Sequence, residues 1–231
     1  MKLTEKTIDE EDRIEALAQF LGLDDEEKEE IEVDDETLTY ANKEYLVVTE
    51  DEGYEMAKED VQDFLEYGMG LEGVSESTRE YALEHFCIYD WESDLHKYNL
   101  SYCNDISEES GSNGYANRLV DEAIDRKVIK DKDCFENEDG ELDYEDKDEL
   151  AEMMADDMDN DFDSMSEWFE DIYGRNWARE MQDTLKDYID WKALAEYIVD
   201  SDGVANTLAK YDGRENEEKV NGEYLYIYRV N

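Results

Sequence analysis

Excess negative charge is the feature that most limits what this chain can fold into. Its 231 residues include 70 Asp and Glu against 22 Lys and Arg, which gives a formal net charge of −48 at pH 7. Self-repulsion on this scale opposes any compact state. Binding to DNA or to anionic membranes depends on cations, and the chain has no basic run of even five residues. We therefore predict a protein that binds neither nucleic acid nor a membrane directly.

Apolar residues decide whether such a chain folds, because high charge with low hydrophobicity is typical of disorder. Here 40% of the residues are hydrophobic and 12% are aromatic, which is enough to form a core, and proline is absent. A chain without proline and with few glycines favours helices. We predict a helix-dominated α+β fold, with small antiparallel hairpins or sheets near the N-terminal third and at the C-terminus.

Two hairpin signals indicate where the strands lie. Thr37–Tyr40 and Glu44–Thr49 are rich in β-branched and aromatic residues, and they flank a short turn. Asn221-Gly222, which precedes the run YLYIYRV, is a strong signal for a two-residue hairpin turn. We expect each hairpin to form a small sheet of its own.

Capping signals and changes in periodicity divide the chain into three expected modules. Thr49-x-x-Glu52 and Ser77-x-x-Glu80 each predict the start of a helix. The modules are an N-terminal α/β module (1–73), a helical middle module (74–140) and an acidic helical module that ends in a hairpin (141–231).

The third module carries an apolar stripe surrounded by carboxylates. Between Asp131 and Asp171 the sequence holds 20 acidic residues and two basic ones. Like charges one turn apart destabilise a helix, so carboxylates at this density suggest that the charge itself has a function. Seven apolar residues at steps of three or four predict one helix of roughly 35 Å, ended by Gly174. They are Leu150, Met154, Met158, Phe162, Met165, Phe169 and Ile172.

Duplex DNA supplies a length scale for that function. Carboxylates one turn apart on a helix are about 5–6 Å from each other, which is of the same order as the phosphate spacing along a DNA strand. We predict that this helix imitates the edge of a DNA groove, and that the protein inhibits a host DNA-binding protein by occupying its positively charged DNA site. The residues predicted to stand in for phosphates are Asp156, Asp157, Asp159, Asp161, Asp163, Glu167, Glu170 and Asp171.

Three segments resemble parts of known acidic proteins. EYLVVTEDEGYEMAKEDVQDFL (Glu44–Leu65) and the closing segment Asp202–Asn231 look like segments of acidic phage-encoded proteins. IDWKALAEYIVDSDG (Ile189–Gly203) is similar to the acidic C-terminal module of the ArdA-type antirestriction proteins. That family consists of dimeric DNA mimics, which occupy the DNA-binding groove of type I restriction–modification enzymes. The resemblance implies an antirestriction role without catalytic residues. A CRISPR effector is the alternative target, because it too binds DNA in a positively charged site.

The acidity is also compatible with cation binding or with solvation alone. An EF-hand ligand pattern runs from Asp159 to Glu170, but Ser164 stands where that loop requires glycine. Solvation alone would be the role of the carboxylates in a halophilic organism. No pattern typical of a catalytic, cofactor or metal site stands out, so we predict no enzyme, no cofactor and no resident metal.

Cysteine usage and symmetry lead to two further expectations. Cys87, Cys103 and Cys134 lack Cys-x-x-Cys spacing, which indicates free, partly buried thiols in a reducing compartment. With no signal peptide or long apolar stretch, we expect a cytoplasmic protein of an infected bacterial host. We also expect a homodimer, because two-fold symmetry extends the surface that a mimic presents. Its interface is expected in an apolar patch outside Asp131–Asp171, involving the Tyr-rich C-terminal strand.

Overall fold

Two compact units make up the chain. The computed structural model describes residues 8–34, 36–108, 116–130 and 144–231. The first unit combines Met1–Phe86 with Ile189–Asn231, and the second is Cys87–Tyr188. The two ends of the chain thus fold together, and these boundaries differ from the three consecutive modules (1–73, 74–140 and 141–231) expected from the sequence.

Helices dominate both units. The first unit begins with α1 (Glu10–Leu21), α2 (Asp25–Lys28), β1 (Glu32–Asp34), β2 (Thr37–Tyr40), β3 (Lys43–Val48), α3 (Glu50–Asp63), a π-helical turn (Phe64–Met69), a 3₁₀ turn (Gly70–Gly73) and α4 (Glu76–His85). The second unit contains α5 (Trp91–Glu108), α6 (Ala116–Asp125), α7 (Tyr144–Asp159), α8 (Met165–Tyr173), a 3₁₀ turn (Gly174–Asn176), α9 (Trp177–Glu180) and α10 (Gln182–Leu185). The chain returns to the first unit with α11 (Trp191–Asp202), α12 (Val204–Leu208), β4 (Glu215–Val220) and β5 (Glu223–Arg229). The predicted helix-dominated α+β class is confirmed.

One antiparallel sheet contains these five strands, in the order β1-β2-β3-β5-β4. Its central pair joins β3 to β5, with Val47 opposite Ile227. The expectation of two separate small sheets is therefore wrong. Consecutive residues of β3 and β5 are buried on both faces, so both strands belong in the middle of a covered sheet, and local hairpin signals cannot show that pairing.

Both predicted hairpins are present, and each has a two-residue turn. Asn221 and Gly222 have φ angles of 53° and 99°, and Ala41 and Asn42 have φ angles of 51° and 61°. Positive φ at both turn positions is the geometry whose twist matches that of paired strands. The Asn-Gly signal therefore located the β4–β5 turn correctly.

Helices cover both faces of the sheet. On one face, Leu17 of α1 belongs to a buried cluster with Val47 and Ile227. On the other face, Ala57 of α3 and Val199 of α11 belong to a second buried cluster with strand residues. The first unit is thus a three-layer α/β/α arrangement, and β5 is covered on both sides.

One buried cluster of the second unit joins α5, α6 and α7. Leu150 and Met154 of α7 cluster with Leu119 and Ala123 of α6 and with Cys103 of α5. The α7 half of the apolar stripe predicted from the sequence therefore faces this core.

The predicted 35 Å helix is two helices. Helix α7 ends at Asp159 and α8 begins at Met165, so they are about 24 and 14 Å long. The Ser164 hydroxyl accepts a hydrogen bond from the backbone N–H of Glu167, and the Glu167 carboxylate accepts one from the backbone N–H of Asp163. This reciprocal cap begins a new helix where the apolar spacing alone predicted continuity. The Ser-x-x-Glu signal was present in the sequence.

The start of α4 also differs from its prediction. Its N-cap is Ser75, whose hydroxyl accepts a hydrogen bond from the backbone N–H of Thr78, so the predicted cap at Ser77 is wrong. The capping box of Thr49 and Glu52, by contrast, is confirmed at the start of α3.

Candidate functional site

Exposed carboxylates form a row along α7. Asp148, Glu152 and Asp156 are exposed and four residues apart, so they occupy one face of the helix at intervals of about 6 Å. Residues 148–171 hold eleven acidic residues and no Lys or Arg. The sequence-based site included only Asp156 of this α7 row, although the four-residue spacing identifies the other two.

Arg126 engages two of the residues predicted to imitate phosphates. Its Nε donates to Asp157 at 2.7 Å, and a terminal nitrogen donates to both carboxylate oxygens of Asp161 at 2.8 Å. The guanidinium therefore offsets part of the negative charge at these two positions. Because Arg126 directly follows α6, these hydrogen bonds also hold the end of α7 close to the end of α6.

His96 of α5 engages a third predicted residue. Its Nδ1 lies 2.7 Å from Oδ2 of Asp159, whose other oxygen accepts a 2.9 Å hydrogen bond from the amide of buried Asn99. Carboxylate oxygens of Glu152 and Asp156 lie 3.4 and 3.7 Å from the imidazole nitrogens. The hydrogen bond to Asp159, with the nearby negative charges, holds the pKa of His96 above its usual value. The His96 imidazole thus links α5 to α7.

Eight residues were predicted to imitate phosphates, and the five not yet described are exposed. They are Asp156, Asp163, Glu167, Glu170 and Asp171. Because Glu167 also caps α8, it is set apart from the other four. We define the acidic surface as the α7 row together with the three exposed carboxylates near α8 that do not cap it. Its members are Asp148, Glu152, Asp156, Asp163, Glu170 and Asp171.

Among the described residues, one cluster has the ligand types of a metal site. Ligand atoms of His96, Asp156 and Asp159 lie within 4.8 Å of one another, and imidazole with carboxylates suits Zn²⁺ and similar cations. A metal would have to displace the proton on His96, which the same carboxylates favour. The cluster of His96, Asp156 and Asp159 therefore favours an ion pair over a bound metal ion.

The EF-hand pattern from Asp159 to Glu170 does not assemble into a loop. Helix α8 begins at Met165, inside the segment that would have to wrap around the ion. Asp159 is hydrogen-bonded to His96 and both oxygens of Asp161 accept from Arg126. These two carboxylates therefore have different partners and do not converge on one cation.

The two described cysteines are free thiols. Burial raises the pKa of Cys103 to about 11, and burial also raises the pKa of Cys87. A nucleophilic cysteine needs a lowered pKa, so neither thiol has the environment of a catalytic nucleophile. Cys134 lies outside the described residues.

Comparisons with protein-family models, with curated proteins and with solved structures found no match. Within the described ranges, no helix combines the length and apolar character that crossing a membrane requires. The function is therefore inferred from the residues of this chain alone.

We expect titration by NMR to place the pKa of His96 above its reference value of 6.5. Because the folded pKa is raised, this interaction stabilises the fold fully below the unfolded pKa, and the stabilisation is lost as pH rises through the folded pKa. Asp159→Asn removes the main charge partner and should lower the His96 pKa. An unchanged pKa in that variant would contradict the assigned ion pair.

Proposed function

We propose that this protein is a non-enzymatic DNA mimic that inhibits a host defence enzyme, either a restriction–modification complex or a CRISPR effector. The main observation in support is that the segment 148–171 contains eleven carboxylates and no Lys or Arg. Each DNA strand carries one phosphate per 3.4 Å of axis, so intervals of about 6 Å along α7 approximate every second phosphate. A cationic DNA channel would bind such a surface, and the setting of this antirestriction or anti-CRISPR role is the cytoplasm of an infected bacterium.

The position of these carboxylates within α7 supports a role for the charge itself. Carboxylates are favourable in the first turn of a helix and unfavourable in the last. The acidic first turns of α1, α2 and α3 follow this rule and coincide with capping boxes. The last turns of α3 and α11 do not follow it, because each contains two Asp residues and no basic residue. Asp156 and Asp157 likewise lie in the last turn of α7, which contains no basic residue. The helix dipole therefore does not favour acidic residues at that end, although Asp157 is paired with Arg126 from outside the helix.

The proposed mimic surface is shorter than the one predicted from the sequence. The break between α7 and α8 divides the expected continuous edge into two stretches. Asp157, Asp159 and Asp161 serve the fold through Arg126, His96 and Asn99, so the acidic surface excludes them. Its members on α7 and near α8 are exposed. Two of them, Glu152 and Asp156, also lie 3.4 and 3.7 Å from the His96 imidazole nitrogens.

A capture experiment identifies the target. The protein is immobilised, exposed to a bacterial lysate and eluted first with duplex DNA and then with a salt gradient. We expect a DNA-binding defence enzyme to elute with the duplex, because DNA and the acidic surface compete for one site. Retention of such an enzyme through excess duplex and about 0.5 M salt would oppose the proposal.

A halophilic origin is the main alternative account of the acidity. A protein whose carboxylates serve only solvation at high salt should lose its circular-dichroism signal at low ionic strength. We expect this chain to stay folded at about 50 mM salt, because the capping boxes and the Arg126 and His96 ion pairs use many carboxylates locally. Unfolding at that salt concentration would favour the halophilic origin.

We further propose that the protein is a homodimer. Strand β5 is hydrogen-bonded to both β3 and β4, so the Tyr-rich segment contributes side chains, and not an unpaired strand edge, to the apolar interface expected from the sequence. Light scattering at about 150 mM salt should give about twice the 27.2 kDa of one chain. A mass of one chain under these conditions would contradict the dimer.

A further inference from the structure

A cavity of about 370 Å³ lies in the first unit beside the start of α3. Its lining combines three carboxylates, three tyrosines and one aliphatic residue. They are Glu50, Asp51, Glu215, Tyr54, Tyr226, Tyr228 and Val204. None of these residues carries a positive charge, so the cavity is both aromatic and acidic.

The sheet register and one glycine bring this lining together. Glu215 of β4 lies opposite Tyr228 of β5, and the Tyr228 hydroxyl donates a 2.8 Å hydrogen bond to the Glu215 carboxylate. Gly53 lets α3 approach the sheet, because a Cβ there would lie 3.2 Å from Cγ2 of Val48 and 3.6 Å from the Tyr228 ring. This close approach brings Glu50 and Asp51 of α3 to the same cavity as the Glu215 carboxylate of β4.

The environment of the tyrosines indicates a negative, partly dehydrated site. Burial raises the pKa of Tyr226, and the charges of Glu50, Glu217 and Glu215 are the next causes. Burial also raises the pKa of Tyr228, with the Glu215 hydrogen bond and charge as the next causes. The neighbouring carboxylate charges favour a bound cation, whereas burial by itself disfavours a charge of either sign.

Tyrosine rings in this unit already pair with cations. Within the lining, the Lys58 ammonium lies 5.1 Å from the ring centre of Tyr54, so Tyr226 and Tyr228 supply the rings for a further cation. The guanidinium carbon of Arg229 lies 3.4 Å from the ring centre of Tyr211, and the Lys219 ammonium lies 4.7 Å from that of Tyr224. Cations over aromatic faces gain electrostatic energy, and more when they are partly desolvated. The cavity offers the same ring chemistry together with three carboxylates.

Helix stabilisation explains only part of the lining. Acidic residues in the first turn of α3 interact favourably with the helix dipole, which accounts for Glu50 and Asp51. The cap itself uses Glu52, whose carboxylate accepts from the Thr49 backbone and pairs with Arg13. Neither effect accounts for Glu215 on β4 or for the three tyrosines.

We propose that this cavity binds a guanidinium group, that of an arginine side chain on a partner protein. A guanidinium stacks on aromatic rings, donates up to five hydrogen bonds to carboxylates, and is less strongly hydrated than an ammonium. Those properties match tyrosine rings with carboxylates on both α3 and β4. The cavity belongs to the first unit, and its binding of guanidinium does not rest on the proposed DNA mimicry.

The test uses N-acetyl-arginine methylamide as the probe and the intact protein. NMR titration should give a Kd of about 1–10 mM, with shifts concentrated at the backbone of Asp51, Tyr54 and Tyr226. The citrulline analogue, which has the same shape without the charge, should give no saturable shift. Equal binding of the arginine and citrulline probes, or no shift with arginine up to about 50 mM, would overturn the proposal.

Matched variants separate the cavity from the general negative charge. Glu215→Gln should weaken arginine binding about tenfold, because a charge-assisted acceptor is lost. Glu218→Gln removes the same charge from the same strand on the opposite face of the sheet, across from Leu225, and should change Kd less than about twofold. Equal effects of these two variants, each shown to be folded by circular dichroism, would contradict the cavity assignment.

The aromatic contribution is tested at Tyr226, which is only partly buried. Tyr226→Phe keeps the ring and should retain arginine binding within about twofold, whereas Tyr226→Leu should lose most of it. Binding that survives in the leucine variant would show that the ring has no role and would overturn the stacking component. No DNA-binding enzyme enters these measurements, so their result is independent of the proposed inhibitory function.

Discussion

Neutralising the acidic surface should weaken inhibition of the target enzyme by at least about tenfold at about 50 mM salt. The variant replaces five of the six carboxylates of this surface by their amides and leaves Asp163 unchanged. The replaced residues are Asp148, Glu152, Asp156, Glu170 and Asp171. Each lost phosphate-like contact should reduce the salt slope of binding by about one. The fold should be retained, because removing like charges one turn apart relieves repulsion within α7 and α8. His96 loses the nearby charges of Glu152 and Asp156 but keeps its hydrogen bond to Asp159. Binding at several salt concentrations gives the slope, and thermal unfolding gives the stability.

An equal change of charge elsewhere is the control for this variant. The region around α2 offers five exposed carboxylates whose amides leave the Asp24–Glu27 capping box intact. They are Asp25, Glu26, Glu29, Glu30 and Glu32. This control should keep most of the inhibition, since it alters net charge without touching the acidic surface. Equal losses in the two variants would show that net charge acts alone and that α7 and α8 are not the mimic surface.

Phe169→Ala should lower the free energy of unfolding by about 3–5 kcal/mol. Phe169 is fully buried, and its ring centre lies 5.0 Å from that of Trp168 and 5.6 Å from that of Trp177. Truncation removes these contacts and leaves a cavity in the aromatic cluster of the second unit. Denaturant unfolding followed by tryptophan fluorescence measures the loss, and the salt slope of the remaining folded protein should stay unchanged.

The matched control is Phe162→Ala, in the segment between α7 and α8. Apolar periodicity predicted equal burial for Phe162, Met158 and Phe169, yet only Phe169 is fully buried and the other two are partly exposed. Phe162→Ala should therefore cost less than about 2 kcal/mol. A loss for Phe169→Ala no larger than for Phe162→Ala would contradict the described packing.

Local signals in the sequence were sufficient for the elements whose cause is local. Asn221-Gly222 marked a turn that needs positive φ at both positions. Thr49 and Glu52 marked a reciprocal cap at the start of α3. In both cases the residues that decide the geometry lie within four positions of each other.

The features that the sequence did not reveal depend on residues far apart in the chain. The pairing of β3 with β5 joins Val47 to Ile227, and it places both ends of the chain in one unit. The break before α8 was missed for another reason, because seven regularly spaced apolar residues outweighed the Ser164–Glu167 cap. Spacing along a helix shows which residues share a face, but not whether one helix continues.

The candidate sites show the same division between local and distant causes. The excess of carboxylates in 148–171 is visible in the sequence. The neutralising roles of Arg126 and His96 are not, because they come from other helices. The tyrosine and carboxylate cavity depends on the register between β4 and β5 and on the approach of α3 at Gly53. The YLYIYRV segment indicated only one face of a strand.

The dependence of inhibition on DNA concentration tests the DNA-mimic proposal most directly. The purified target enzyme is titrated with this protein at several concentrations of duplex DNA. If protein and DNA occupy one site, the concentration for half-inhibition rises in proportion to DNA, and inhibition falls steeply between about 50 and 200 mM salt. Half-inhibition at a concentration independent of DNA, or inhibition that persists unchanged at about 0.5 M salt, would contradict the proposal.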